Sequence, residues 1–223
     1  MKSINLQNNI EMWGNPTTWK KDGDEWSTQF GTTQNMWDEV IYPRISIFLQ
    51  GDILEIAPGY GRVTEKLLGY NVNSLEIVDL NPNCIDRCRE RFGDQIQGYF
   101  TNSGKDLHDF TSNSKDFILS WDSFVHMDET VVEPYLWEIY RVLKPGAIAW
   151  LHHSNLSGGS ENNWENIAGR ANMGNTKFTE LSQKVGLEVI KQEYFYWKPD
   201  PTLYPEGFDA TLYDGITTLQ KPS

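Results

Sequence analysis

At 223 residues, 39% of them hydrophobic and 13% aromatic with nine Trp, the chain has the length of one large domain and ample material for a packed interior, which excludes a disordered chain. Nineteen Lys+Arg against 31 Asp+Glu give a formal charge of −12 with no Lys/Arg-rich run. The clustered cations that grip a phosphate backbone are missing, so no nucleic-acid partner is expected. No apolar run approaches the ~20 residues of a membrane span, and the opening residues lack the apolar core of a signal peptide, so a cytoplasmic protein is expected.

Residues 1–33 are polar, carry Trp13, Trp19 and Trp26, and show no clear period. They read as an N-terminal arm or lid, ordered because Trp needs burial, ahead of a domain over 34–223. Gln34–Leu49 spaces Trp37, Val40, Ile41, Ile45, Phe48 and Leu49 as an amphipathic helix despite Pro43. Strands and helices then alternate: strand Ile53–Ala57, helix Arg62–Leu68, strand Leu75–Asp79, a helix opened by Pro82 and running to Arg91, then strands Ile96–Thr101 and Asp116–Trp121. A helix over Thr130–Leu143 is stopped by Lys144-Pro145-Gly146 and followed by strand Ala147–Leu151. Ser154–Asn175, rich in Gly, Ser and Asn and carrying Trp164, reads as an insertion over the strand tips. Helix Lys177–Val185 precedes strands Leu187–Trp197 and Asp209–Leu219, which flank a connection with Pro199, Pro201 and Pro205 and suggest an antiparallel hairpin. The expected fold is α/β: a Rossmann-like seven-stranded sheet, mostly parallel, with an antiparallel C-terminal hairpin and helices on both faces. Cys84 and Cys88 have no second Cys/His pair at zinc-like spacing, so they read as ordinary thiols in a reducing compartment and no metal site is expected.

The sharpest feature is Ile53-Leu54-Glu55-Ile56-Ala57-Pro58-Gly59-Tyr60-Gly61-Arg62, a buried strand running through two glycines into a helix. Glycine there permits positive φ and close approach of a ligand to the backbone, and a helix start adds N–H donors. The second strand ends at Asp79, 24 residues after Glu55. An acid at that strand tip lies beside the first turn, where it can accept both hydroxyls of a ribose. Small residues at Ala57, Gly59 and Gly61 do not follow the G-x-G-x-x-G of pyrophosphate-binding folds. They resemble the first motif of class I S-adenosylmethionine-dependent methyltransferases, acid-x-Gly-x-Gly-x-Gly, with Ala57 in place of the first glycine. The resemblance extends through Asp79, Leu143-Lys144-Pro145-Gly146 and the terminal strand pair, over roughly residues 35–220. It implies S-adenosyl-L-methionine as cofactor. Glu55 would lie near its methionine end, and Ala57, Gly59, Tyr60 and Gly61 would line it. Asp79 would hold the ribose, Leu80 would pack on the adenine, Asn102 and Gly104 would border the base, and Trp121 would complete the wall.

Three of the four histidines follow the fourth and fifth strands, in Trp121-Asp122-Ser123-Phe124-Val125-His126 and His152-His153-Ser154-Asn155. Loops beyond the carboxyl ends of strands carry ligands in open α/β sheets. A hydroxyl that accepts a methyl must lose its proton, and imidazole is suited to take it. His126, His153 and Asp122 are therefore the candidate catalytic residues, with His153 preferred to His152 because strand alternation sends the two to opposite faces. Asp122 could instead orient a histidine, or join Asn155 on a Mg²⁺ ion. His108 reads as a surface residue. The tetrad Asn/Asp-Pro-Pro-aromatic of base-amine methyltransferases and the Pro-Cys of cytosine methyltransferases are both absent from the fourth-strand tip, which points to a small-molecule acceptor. The same stretches, with Gln192-Glu193, resemble bacterial sugar O-methyltransferases of polysaccharide or glycolipid biosynthesis, which implies a saccharide acceptor. The alternatives are a small-molecule N-methyltransferase, a nicotinamide-dependent oxidoreductase, and a cofactor-binding protein without catalysis.

Overall fold

In a computed structural model, described for residues 4–157, 169–195 and 213–223, seven strands form a single sheet. β1 (Asp52–Ile56), β2 (Ser74–Asp79), β3 (Gly98–Thr101), β4 (Lys115–Phe124), β5 (Leu143–Ser154), β6 (Glu188–Phe195) and β7 (Asp214–Gln220) lie in the order β3-β2-β1-β4-β5-β7-β6. The first five pair in parallel, and β7 runs antiparallel to both β5 and β6. This is the expected Rossmann-like arrangement with its antiparallel C-terminal pair.

Around the sheet lie α1 (Ile4–Trp13), α2 (Thr33–Met36), α3 (Tyr42–Ile45), α4 (Thr64–Leu67), α5 (Pro82–Phe92), α6 (Glu129–Val142) and α7 (Asn175–Lys184). Central parallel strands are covered on both faces and so need apolar residues at successive positions. Ile53, Ile77, Phe117, Leu119 and Trp150 pack with Met36, Ile45, Leu67, Ile85 and Phe92 on one face. Leu54, Ile56, Val78, Ile118 and Leu151 pack with Leu136, Ile139, Phe178 and Leu181 on the other. The chain reverses its direction of winding between β1 and β4, and a crevice opens there at the carboxyl ends of the strands.

Two departures from the expected elements have local causes. The helix expected over Gln34–Leu49 spans Thr33–Phe48 in consecutive pieces, with a wide π turn at Trp37–Ile41 closed by the Tyr42 N–H on the Trp37 carbonyl. That turn absorbs Pro43, whose ring would crowd a regular α-turn and which has no N–H to give. The arm, which lacks an apolar period, nevertheless contains a three-turn helix, α1. The proline-rich connection and residues 158–168 of the 154–175 segment, Trp164 included, lie outside the described residues. Among the described residues no helix is long and apolar enough to cross a membrane.

β1 ends in a left-handed kink. Ala57 has φ 57°, followed by Gly59 at 58° and Gly61 at 86°, while the Ala57 N–H stays bonded to the Val78 carbonyl at 2.7 Å. A non-glycine residue in that region costs ~1–2 kcal/mol, and glycine gives back part of this through its larger unfolded-state entropy. Ala57→Gly is therefore expected to raise unfolding stability by about 0.5 kcal/mol in urea titration; a loss of 1 kcal/mol or more would contradict a strained Ala57.

Candidate active site

The crevice at the tips of β1, β2 and β4 is roofed by the N-terminal arm. Ala57, Pro58, Gly59, Arg62, Asp79, Leu80, Trp121, Asp122, Ser123 and His126 form its floor and walls, and Asn9, Trp13, Trp19 and Trp26 close it above. The space enclosed is about 80 Å³, well below the roughly 300–1,000 Å³ usual for small-molecule sites, because the indoles of the arm fill much of the crevice. Trp13 meets Trp26 at 77° with centroids 5.5 Å apart, and Trp19 stacks on Tyr60 at 4.8 Å. A Cβ on Gly59 would collide with the Trp19 ring, and one on Gly61 with Phe92, so the first glycine serves the crevice and the second serves the packing of α5.

Asp79 ends β2 with its carboxylate turned to the glycine turn. One oxygen accepts the Gly59 N–H at 3.2 Å and the other the Asn81 N–H at 2.8 Å. It is 5% exposed, and burial, opposed by these N–H bonds, pushes its pKa up to about 6. The Leu80 N–H also bonds to it, and since a carboxylate has about four acceptor positions, capacity remains for a hydroxyl donor. Glu55 lies behind the turn, not in the cavity: it is 2% exposed, accepts the Thr64 hydroxyl at 2.6 Å, and is pushed by burial up to about 7. Tyr60 and Gly61 also flank rather than line the cavity. Asn102 holds the Asp106 carbonyl and the Tyr135 hydroxyl, and Gly104 is covered by Leu6 of α1 and by Leu80, so both lie outside it.

The histidines separate. His126 lines the cavity at 5% exposure, and its Nδ1–H donates to the Gly169 carbonyl at 3.0 Å. Burial and the nearby Arg170 push its pKa down to about 4, so it is neutral near pH 7, with Nε2 as its basic nitrogen. His152 and His153 do point to opposite faces of β5, but neither reaches the cavity. His153, expected as a catalytic candidate, is fully buried against Phe178 at 3.7 Å and bonded to Thr217 at 2.7 Å, on the α6/α7 side of the sheet, with burial holding its pKa near 3. Alternation separates the pair correctly, but only the register of β5 tells which side faces what. His152 stacks on Trp121 at 4.2 Å, accepts the Asp122 N–H on Nδ1 at 3.1 Å and meets Asp214 through Nε2 at 3.2 Å. His108 is exposed, as expected.

Asp122 sits at a register break in β4 with φ 57°. Arg62 donates to its carboxylate at 2.6 Å and Arg170 stands 3.7 Å away; Arg170 in turn clasps Asp214 at 2.9 and 3.1 Å. These guanidinium and imidazole bonds hold the Asp214 carboxyl well below the usual carboxylate range. Two guanidinium groups on one carboxylate leave Asp122 ill suited to a divalent cation, and the Asn155 side-chain oxygen is engaged by the Asn175 N–H at 2.7 Å. The Mg²⁺ alternative does not fit this donor set. Arg62 and Arg170, whose carboxylate partners lie 44 to 60 residues away in sequence, carry no local signal that would have marked them.

Residues 53–146 match the family model of a methyltransferase domain. No curated protein matches the chain in sequence. Among solved structures, phosphoethanolamine N-methyltransferase 2 from Haemonchus contortus, in complex with S-adenosyl-L-methionine, is similar at 18% identity and TM-score 0.70 over 98% of this chain and 60% of that one. The N-methyltransferase NodS from Bradyrhizobium japonicum is similar at 16% identity and TM-score 0.65 over 99% and 100%. A putative sarcosine dimethylglycine methyltransferase from Galdieria sulphuraria gives 18% identity and TM-score 0.64 over 98% of each chain. The chain thus combines a methyltransferase-domain match over residues 53–146 with a Rossmann-like sheet. The crevice at Asp79 presents carboxylate oxygens that can accept hydroxyl donors of a ligand.

The buried Glu55 has a measurable consequence. Its folded pKa, about 7, lies above the unfolded value, 4.5, so its contribution to stability is complete below about pH 4.5 and is lost as pH rises through 7. Between pH 8 and pH 5 Glu55 should therefore supply stability on the order of 2 kcal/mol on acidification, against the loss expected over the same range from the buried neutral His126 and His153. Glu55→Gln, which keeps an acceptor for Thr64, should remove that share, so that in urea titrations the variant loses more stability than the parent on going from pH 8 to pH 5.

Proposed function

We propose that the enzyme transfers the methyl group of S-adenosylmethionine to a hydroxyl of a small molecule, a saccharide or glycoconjugate precursor, with His126 taking the proton. When bound, the cofactor supplies an electrophilic methyl carbon on a positively charged sulfur. The observation that carries the reading is a neutral imidazole on the cavity wall, its Nδ1–H committed to Gly169 and Nε2 left as the basic atom. An alcohol becomes strongly acidic only as its oxygen bonds to the methyl carbon, so a base as weak as His126 suffices at that moment. Asp79 would accept the ribose hydroxyls, the Ala57–Gly61 turn would let the cofactor pass close to the backbone, and Leu80 would pack on the adenine. Arg62 fixes the Asp122 carboxylate beside His126 on the same wall. The corner of Trp13 and Trp26 offers aromatic faces for the C–H face of a sugar ring.

The similar structures, named as methyltransferases of amines, favour a second reading, an amine acceptor, which needs less help from a base. A panel of methyl α-D-glucopyranoside and myo-inositol against phosphoethanolamine and sarcosine, assayed for methyl transfer from S-adenosylmethionine, separates the two. His126→Ala is expected to lower turnover on the hydroxyl acceptor about 10²–10⁴-fold with S-adenosylhomocysteine affinity within about threefold. Undiminished turnover would remove the base.

Binding tests Asp79 separately. Ribose hydroxyls favour its ionised form, so S-adenosylhomocysteine affinity should be level above pH 6 and fall below it by up to about tenfold per pH unit. Calorimetry on Asp79→Asn should show weaker binding with that slope gone.

A further inference from the structure

α1 reads as an aperiodic polar segment, yet it presents a stripe. Asn5, Asn9 and Trp13 recur every four residues and therefore share one helix face. Asn5 and Asn9 are 1% and 7% exposed. Both side-chain amides donate to a single acceptor, the backbone carbonyl of His126, each at 2.9 Å and across 121 and 117 residues of sequence. A carbonyl has two lone pairs, and here both are taken.

The other ends of the two amides are also committed. The Asn5 side-chain oxygen accepts the Asp128 N–H at 3.3 Å, so one amide spans the loop on both sides of Met127. The Asn9 side-chain oxygen accepts the Trp13 indole N–H at 3.2 Å, and the Trp13 ring lies 4.9 Å from the His126 ring. The sheet does not supply this restraint: β4 last pairs at Phe124, opposite His153, two residues short of His126. Within the loop, the His126 N–H makes a turn bond to the Ser123 carbonyl at 3.0 Å.

We propose that Asn5 and Asn9 are positioning residues for His126, placing its ring against the cavity from the far end of the chain. The inference rests on the reading of His126 as the proton acceptor. The stripe holds the loop backbone through two amides and the ring through Trp13, so the docking of α1 and the presentation of His126 are one event. A purely structural role would tie α1 to the core at any polar group; convergence on this carbonyl selects the residue whose side chain faces the acceptor.

The test uses the full chain carrying Asn5→Ala and Asn9→Ala together, with Asn5→Ser and Asn9→Ser as milder single variants should the double variant not fold. Imidazole NMR signals are followed from pH 8 to pH 5. In the parent protein His126 stays neutral throughout with its proton on Nδ1; in the variants it should titrate inside that window or lose the single tautomer. Turnover on the active hydroxyl acceptor of the panel is expected to fall about 10- to 100-fold, while S-adenosylhomocysteine affinity by calorimetry stays within about threefold. Unchanged His126 signals with turnover within twofold of the parent would overturn the proposal, as would a fall in melting temperature alone. Failure of the base reading is distinguishable: His126→Ala would then keep its turnover, whatever the variants do to the His126 tautomer.

Discussion

Backbone N–H groups hold one carboxylate at the opening between β1 and β2, and much of the molecule is arranged so that they can. Gly59 reaches Asp79 only because the chain turns left-handed after Ile56, and Asn81 reaches it because β2 stops where Pro82 starts a helix. Burial raises the proton affinity of Asp79, and the N–H bonds oppose that. The carboxylate is thus kept ready to ionise in a place where ionisation is costly, a state that suits a group meant to receive hydroxyl donors. The cost is offset by the apolar sheet beneath it, where Ile53, Leu54, Ile56, Ile77 and Val78 are fully or almost fully buried.

The tip of β4 poses a second electrostatic problem. Arg62, Asp122, Arg170, Asp214 and His152 form a connected chain under the cavity wall, with side-chain exposures of 15% or less. Buried ion pairs return little net stability, since desolvation cancels most of the attraction, but losing one member leaves an uncompensated charge. Such a chain is better understood as fixing geometry. It holds Asp122 in a left-handed conformation that a strand residue would otherwise avoid, and the charge of Arg170 helps keep His126 unprotonated. The glycine turn and the β4 tip therefore share a pattern: left-handed backbone at Ala57 and at Asp122, both next to the cavity.

Local chemistry explains what was legible in the sequence. The apolar run of β1, the Pro58-Gly59 turn, Asp79 at a strand tip and Pro82 at a helix start each announce themselves within a few residues. The parallel sheet with its antiparallel end follows from their alternation. The active-site wall was legible only in part, because its arrangement depends on register. His126, Asp122 and Trp121 line the cavity, while His153 is sent to the opposite side of the sheet by the pairing of β5 with β7. Glu55, Tyr60 and Gly61 belong to the turn without facing the cavity. α1 was missed for a related reason: its buried face is made of carboxamides whose partners are backbone groups more than a hundred residues away, so hydrophobic periodicity is blind to it.

The composition of the arm then becomes intelligible. A roof over a ligand cavity must lie in one place but must not be welded there, since a ligand of this size cannot pass beneath closed indoles. Amide-to-carbonyl bonds meet that need, because when broken they are exchanged for bonds to water at a net cost of only about 1 kcal/mol each, while their geometry is strict when formed. The Arg87–Asp22 pair that also ties the arm down is more than a third exposed on both sides and adds little adhesion. Most of the holding force comes from Trp13, Trp19 and Trp26 packing on one another, on Tyr60 and on His126. Directional polar contacts thus decide where the roof sits, and aromatic contacts decide how firmly; a roof held mainly by apolar packing of Leu or Ile would have had the firmness without the register that His126 requires.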